Sequence, residues 1–247
     1  MTLNDQTIAS REGEELNAQV IDSYLKSVIP GLSGTPQIRQ FPGGASNLTY
    51  LLEYPELQLV LRRPPFGHKA KSAHDMGREF RIISQLGSRF PYCPKAYVHC
   101  TDEAVIGSEF YVMERINGII LRSEMPAELN LDPDKTTQLC KSFIDKLVEL
   151  HNVDYQACGL GDLGKPEGYV QRQINGWSDR YEKAMTPDAP QWQEVKAWLK
   201  EKQPADHPKP GIVHNDYRFD NVILDPHNPM QIIGVLATMF DPRTLHS

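Results

Sequence analysis

His214-Asn215-Asp216-Tyr217-Arg218-Phe219-Asp220-Asn221, followed by the apolar triplet Val222-Ile223-Leu224, is the stretch whose reading decides the rest of the chain. An Asp followed five residues later by an Asn suits phosphoryl transfer. The carboxylate accepts a hydroxyl proton, while the amide oxygen reaches a magnesium ion on the phosphates. His214, just upstream, is placed to hold the loop by hydrogen bonding. The same octet also reads as a polar hairpin loop in which Asp216 and Asn221 only cap turns. Its surroundings choose between the two.

Working outward, the triplet is followed by a turn at Asp225 to Pro229 and a second apolar run, Ile232 to Leu236, so the octet sits at the mouth of a short hairpin. Upstream, from Asp134 on, the apolar period is helical. Leu139, Phe143, Leu147 and Leu150 share one stripe, Val170, Ile174, Trp177 and Tyr181 the next, and Trp192, Val195 and Leu199 a third. The tryptophans at 177, 192 and 198 read as mostly core.

The first half of the chain has a different period. Leu48, Tyr50 and Leu52 alternate, as do Leu57, Leu59 and Leu61, which is the mark of strands with a buried face. Glu109 to Ile116 reads as another strand. Pro42-Gly43-Gly44-Ala45-Ser46 is a turn-rich break ahead of the first pair. One helix is expected over Asn17 to Ile29 and a second, inserted among the strands, from about Ala73 to Leu86. The expectation is an α+β chain: a β-rich N-terminal lobe over residues 1–115 with one inserted helix, then a mostly helical lobe over residues 116–247.

Composition narrows the class. The chain has 247 residues, a formal net charge of -6, 40% hydrophobic and 23% charged residues, as folded proteins do. An acidic balance argues against nucleic acid as a partner, because a phosphate backbone demands a basic face. No apolar run approaches the roughly 20 residues needed to cross a bilayer, so no membrane partner is expected. The polar stretch Met1 to Glu15 lacks the apolar segment of a signal peptide. Four cysteines at 93, 100, 140 and 158 form no metal-site spacing, and a reducing, cytoplasmic setting is expected.

Four stretches together resemble the aminoglycoside phosphotransferase family, a branch of the protein-kinase-like bilobal fold. They are Phe41-Pro42-Gly43-Gly44-Ala45-Ser46-Asn47-Leu48-Thr49-Tyr50, Val60-Leu61-Arg62-Arg63-Pro64-Pro65, Phe110-Tyr111-Val112-Met113-Glu114-Arg115, and the octet itself. A fifth, Leu150-His151-Asn152-Val153-Asp154 with Gly159-Leu160-Gly161-Asp162-Leu163-Gly164, is similar to the branch fused to acyl-CoA dehydrogenases in some eukaryotes. The likeness runs from about Gln37 to Leu236.

The resemblance implies ATP and Mg2+ as cofactors and a small-molecule hydroxyl as acceptor. It makes Asp216 the catalytic base, with His214 beside it, and Asn221 a metal ligand. Gly43, Gly44, Ser46 and Asn47 would form the loop over the nucleotide phosphates, where missing side chains let backbone N–H groups approach. Arg62 stands where kinase-like relatives carry a phosphate-binding lysine, and a guanidinium grips phosphate in its own bidentate way. It also reads as a strand surface charge beside Arg63. Glu79 is the candidate to pair with Arg62, or else a solvated helix charge flanked by Arg78 and Arg81. Met113, Glu114 and Arg115 would be the hinge that meets adenine.

One departure matters. Family members carry an Asp, the second magnesium ligand, just after the strand that follows the octet; here Ile232-Ile233-Gly234-Val235-Leu236 runs into Ala237-Thr238-Met239-Phe240. Asp241 or Asp220 would have to substitute. The chain then stops at Ser247, where the family continues with further helices, so an incomplete helical lobe and impaired turnover are expected. The alternative is a catalytically inactive, nucleotide-binding kinase-like module.

Overall fold

The structure is a computed structural model that describes residues 7–42, 47–66, 75–122, 125–206, 208–236 and 245–246. Gly43, Gly44 and Ser46 of the expected phosphate loop, and Asp241, lie outside the described residues.

Helix α1 (Ala18–Val28) opens at Asn17, whose side chain accepts from the N–H groups of Gln19 and Val20 and so satisfies two of the donors a helix start leaves over. Strands β1 (Gln37–Gln40), β2 (Leu48–Glu53) and β3 (Gln58–Arg63) follow as antiparallel neighbours. Helix α2 (Met76–Leu86) is inserted next, then β4 (Ala96–Cys100), a short helix α3 (Glu103–Ile106) and β5 (Phe110–Glu114). The five strands form one antiparallel sheet in the order β1-β2-β3-β5-β4. Strand β4 was not legible from alternation, and it enters as the outer neighbour of β5.

Period-two alternation divides this sheet's side chains. Tyr50, Leu52, Leu59, Leu61, Phe110 and Val112 join Ile21 and Leu25 of α1 in one buried core. The residues between them, Arg62 and Tyr111 among them, take the other side, and the β3–β5 register sets those two opposite each other. Burial pushes the Tyr50 hydroxyl up to about 12.

The rest of the chain is mostly helical, with α4 (Pro133–His151), α5 (Tyr169–Ala184) and α6 (Gln193–Glu201). Strand β6 (Gly211–Ile212) pairs with β9 (Leu245–His246), and β7 (Val222–Leu224) pairs with β8 (Ile232–Val235) as the expected hairpin. Compactness divides the chain into Met1–Glu149 with Asp216–Met239, and Leu150–Asn215 with Phe240–Ser247. That division is not the one drawn after residue 115: most of α4 and the β7–β8 hairpin fall with the sheet.

The tryptophans correct the sequence expectation. Trp177, Trp192 and Trp198 are 62%, 55% and 58% exposed. An ion pair from Lys196 to Glu182 at 2.8 Å joins α6 to α5, the Tyr181 hydroxyl of α5 donates to the Pro190 carbonyl ahead of α6 at 2.6 Å, and the Arg180 guanidinium lies over the Trp177 ring of its own helix. Among the described residues, no helix is long and apolar enough to cross a membrane.

The hairpin is held at its base by the segment that leaves the sheet. Ile119 and Leu224 exchange backbone hydrogen bonds at 2.9 and 2.8 Å. A Cβ on Gly118 would stand 2.4 Å from Ile223 Cγ2 and 2.4 Å from the Leu224 carbonyl oxygen, so only glycine fits this approach. Gly118→Ala is therefore expected to destabilise by about 1–3 kcal/mol through overpacking. Gly176→Ala, in open space on α5, should instead stabilise by up to about 1 kcal/mol. Urea midpoints of the two variants check both signs.

Candidate active site

Glu79 is the centre of one half of the site. Asp75 caps α2 by accepting from the Arg78 N–H at 2.8 Å, and buried Met76, Ile83 and Leu86 press the helix on the sheet. Phe80 packs beside the rings of His99 and Tyr111, which fixes the helix's rotation. Glu79, in the first turn, then meets three donors. The Asn47 amide donates to Oε1 at 3.2 Å, the Tyr111 hydroxyl donates to Oε2 at 2.9 Å, and Arg62 Nη2 lies 3.4 Å from Oε2.

Asn47, Arg62 and Tyr111 are buried, and the Glu79 side chain is 14% exposed. Desolvation pulls the Arg62 guanidinium's pKa down, but Tyr111 and Glu79 beside it leave the net shift upward, so it stays charged. Burial first, and then its carboxylate neighbour, hold the Tyr111 hydroxyl protonated well above its ordinary range. Two buried atoms in this cluster have no hydrogen-bond partner among the described residues: Asn47 Oδ1, an acceptor, and Arg62 Nε, a donor. Buried polar atoms are usually satisfied, so these two are exceptions among the described residues.

The other half is the octet. Residues Phe219–Asn221 form a 3-10 turn that delivers Asn221, buried, back onto Asp216. The Asn221 amide donates to the Asp216 backbone oxygen and to Asp216 Oδ2, both at 2.8 Å. With its two hydrogens so used, the amide's oxygen is the atom left for a cation. Phe143 of α4 lies between the rings of Tyr217 and Phe219, at 4.2 and 4.3 Å, and the Tyr217 hydroxyl donates to the Phe143 carbonyl at 2.7 Å. The Leu236 N–H closes the loop on the Asn221 carbonyl at 2.8 Å. His214 is buried and falls in the second compact unit.

Asp220 is engaged by a neighbouring arginine. Arg218 holds both its oxygens in a bidentate pair and keeps its carboxyl below the usual range. Among the described residues, no group of three or more His, Cys, Asp or Glu side chains is placed to hold a metal ion. Asn221 offers one hard, neutral oxygen. That suits a magnesium ion taking its other ligands from phosphates and water, and not an all-protein cage.

The expected hinge residues close the strand β5 and continue from it. Met113 ends in the sheet, the Glu114 N–H donates to the Lys95 carbonyl at 2.8 Å, and the Arg115 N–H donates to the Gln58 carbonyl at 3.2 Å. Of the backbone groups at the expected hinge, the N–H groups of Glu114 and Arg115 are therefore already engaged. The Arg115 guanidinium reaches instead over the Phe41 ring, 5.9 Å from its centre. Tyr111 and its grip on Glu79 went unnoticed in the sequence; the signal available was its odd position on β5, opposite Arg62, once the register of β3 on β5 is known.

A strand-built half that buries an arginine–glutamate pair against an inserted helix, with a loop that closes Asn on Asp, defines a kinase-like phosphotransferase. The model of the phosphotransferase enzyme family matches residues 37–236, and the chain belongs to that family. Among curated proteins it is 34% identical over 227 residues to acyl-CoA dehydrogenase family member 10 of Mus musculus, covering 90% of this chain and 21% of that protein. It is 31% identical over 240 residues to family member 11 of Gallus gallus, covering 96% and 30%. The chain thus spans under a third of the length of these relatives. Among solved structures, a Ralstonia eutropha protein assigned to the aminoglycoside phosphotransferases superposes with a TM-score of 0.76 at 31% identity, over 90% of this chain and 64% of that one. An aminoglycoside phosphotransferase solved with streptomycin and ATP shares the fold at a TM-score of 0.59 and 18% identity, over 92% and 73%.

Proposed function

We propose that this chain is an ATP-dependent phosphotransferase that moves a phosphoryl group to the hydroxyl of a small metabolite. The observation that carries this reading is the buried Arg62–Glu79 pair, made between a sheet strand and the inserted helix. A charge pair this desolvated needs a reason, since a well-packed apolar pair would be no less stable. Holding a cation ready for phosphate is that reason. The fold neighbour that binds streptomycin and ATP supports the nucleotide. The relatives fused to acyl-CoA dehydrogenases favour a metabolite over an antibiotic as acceptor.

In this reading Gly43, Gly44 and Ser46 offer backbone N–H groups to the phosphates, and Arg62 neutralises them. Asn47 acts through Glu79, which it helps to hold, and not through the nucleotide. Adenine meets the backbone groups of Met113, Glu114 and Arg115 that the sheet leaves unused. Asp216 accepts the proton of the acceptor hydroxyl, whose oxygen forms the new bond to the γ-phosphorus as the bond to the bridging oxygen of ADP breaks. Asn221 keeps the Asp216 carboxylate turned to its task. Magnesium, when bound, supplies neutralisation of the phosphate oxygens; Asn221 is the residue that would hold it. Four thiol cysteines suit a cytoplasmic setting.

A second reading, a nucleotide-binding module without turnover, is favoured by one observation: the Asp220 carboxylate is tied to Arg218. Thermal unfolding with ATP, with and without magnesium, tests what the two readings share. At 100 times the dissociation constant a nucleotide should stabilise by about 2.7 kcal/mol. No shift in either condition would remove nucleotide binding, and both readings with it.

A further inference from the structure

Helix α2 carries Glu79, and the chain that leaves it does not run straight into β4. Past Leu86 it makes two tight turns. The Arg89 and Phe90 N–H groups donate to the Leu86 carbonyl at 3.0 and 2.9 Å, and the Cys93 N–H donates to the Phe90 carbonyl at 3.2 Å. Phe90 is buried and meets the Tyr92 ring edge-on at 5.1 Å. Tyr92 is thus fixed close behind the end of α2, and the site above makes no use of it.

Tyr92 reaches the octet by two routes. Along the first, its carbonyl accepts from the Val235 N–H at 2.8 Å, and the next N–H, that of Leu236, donates to the Asn221 carbonyl at 2.8 Å. Two successive N–H groups at the end of β8 therefore join the segment after α2 to the octet. Along the second, the Tyr92 hydroxyl accepts from the Lys146 ammonium of α4 at 2.5 Å. One turn earlier on the same face of α4 stands Phe143, the residue held between the Tyr217 and Phe219 rings. Main chain and side chain of one residue so approach one loop through two separate elements. All of these residues, with Asp216 to Asn221, fall in the same compact unit.

We infer, resting on the nucleotide reading above, that Tyr92 is a positioning residue: it sets the spacing between the Arg62–Glu79 pair and the loop that carries Asp216 and Asn221. In that reading ATP with magnesium is held at two points, its phosphates by Arg62 and its metal by Asn221. A ligand held at two points gains from the second only where the two are correctly spaced. ATP without the metal depends on the Arg62 half alone. Loosening Tyr92 should therefore weaken the first and spare the second.

The test uses the full chain and four variants. Tyr92→Phe keeps ring and carbonyl and removes the acceptor of the Lys146 bond, Lys146→Met removes its donor, and a third variant carries both changes. Asn17→Ala removes the cap of α1 and shows what lost stability does by itself. The Lys146 side chain is 19% exposed and keeps Glu149 at 2.6 Å, so Tyr92→Phe strands no buried charge. ATP is titrated into each protein with magnesium and with EDTA in its place, and ligand-free melting temperatures are recorded. Tyr92→Phe is expected to weaken ATP binding in magnesium about tenfold, the size of one lost hydrogen bond from a charged donor, and to leave binding in EDTA unchanged. Lys146→Met should match it, and the double variant should be no weaker than either, because both changes remove one bond. Asn17→Ala should melt lower with both affinities intact. Equal weakening in the two solutions overturns the inference, since Tyr92 then supports the fold or the Arg62 half alone. So does unchanged affinity in magnesium, a double variant in which the two losses multiply, or a parent that binds ATP in magnesium only, whose Arg62 half holds nothing by itself. A parent that melts cooperatively yet binds ATP in neither solution fails at the nucleotide reading, and the role of Tyr92 falls with it.

Discussion

Asp216→Asn is expected to slow phosphoryl transfer by about 10²–10⁴-fold while leaving the chain folded and able to bind ATP. The substitution keeps shape and one acceptor oxygen for the Asn221 amide, so the loop should hold its form. What it removes is the basic oxygen that takes the acceptor's proton. Phosphoryl transfer from ATP across a panel of small hydroxyl compounds, parent beside variant, checks the rate, and thermal unfolding checks the fold. Equal background in the two proteins would leave the module reading in place, provided ATP still raises the melting temperature of both. A parent active with one acceptor and a silent variant would assign Asp216 its role.

Glu79→Ala should have the largest effect on stability, about 3–5 kcal/mol, and should also abolish the ATP-dependent thermal shift. The carboxylate accepts from Asn47 and Tyr111 and faces Arg62, so its removal strands two neutral donors and a buried cation together. An unpaired buried charge is the costliest of these, because the low-dielectric surroundings offer it no water. Chemical denaturation gives the stability and ATP titration the affinity. The double variant Glu79→Ala with Arg62→Met separates the terms: it should regain most of the stability, having no stranded charge, but none of the nucleotide binding. Recovery of binding in the double variant would show that Arg62 is structural and does not meet phosphate.

Much of the fold was readable along the chain. Alternation in Leu48 to Leu52 and Leu57 to Leu61, and the 3.6-residue stripes of α1, α2 and α4, state directly which residues face a core. Strand β4 was not readable. Ala96 to Cys100 carries Tyr97 and His99 on a half-buried outer strand, and only its pairing with β5 makes it a strand. The tryptophans misled because helical spacing reports a common face but not whether that face is covered. Trp177 on α5 and Trp198 on α6 both lie on open faces.

For the candidate site, the pattern of residue types in the octet singles out Asp216 and Asn221, and the structure joins the two by a hydrogen bond at 2.8 Å. Chemistry that lies within eight consecutive residues leaves its mark in their order. The pairing of Arg62 with Glu79 could be suspected but not decided, since a glutamate between two arginines on a helix is equally at home in water. Strand register and helix rotation settled it, bringing Asn47, Arg62 and Tyr111 from three separate places onto one carboxylate. The commitment of the Glu114 and Arg115 N–H groups, the capture of Asp220 by Arg218, and the hold of Tyr92 on Val235 and Lys146 belong to the same class. Each is a hydrogen bond whose partner depends on where the backbone has been carried, and short-range directional contacts have no period or composition by which a linear sequence could announce them.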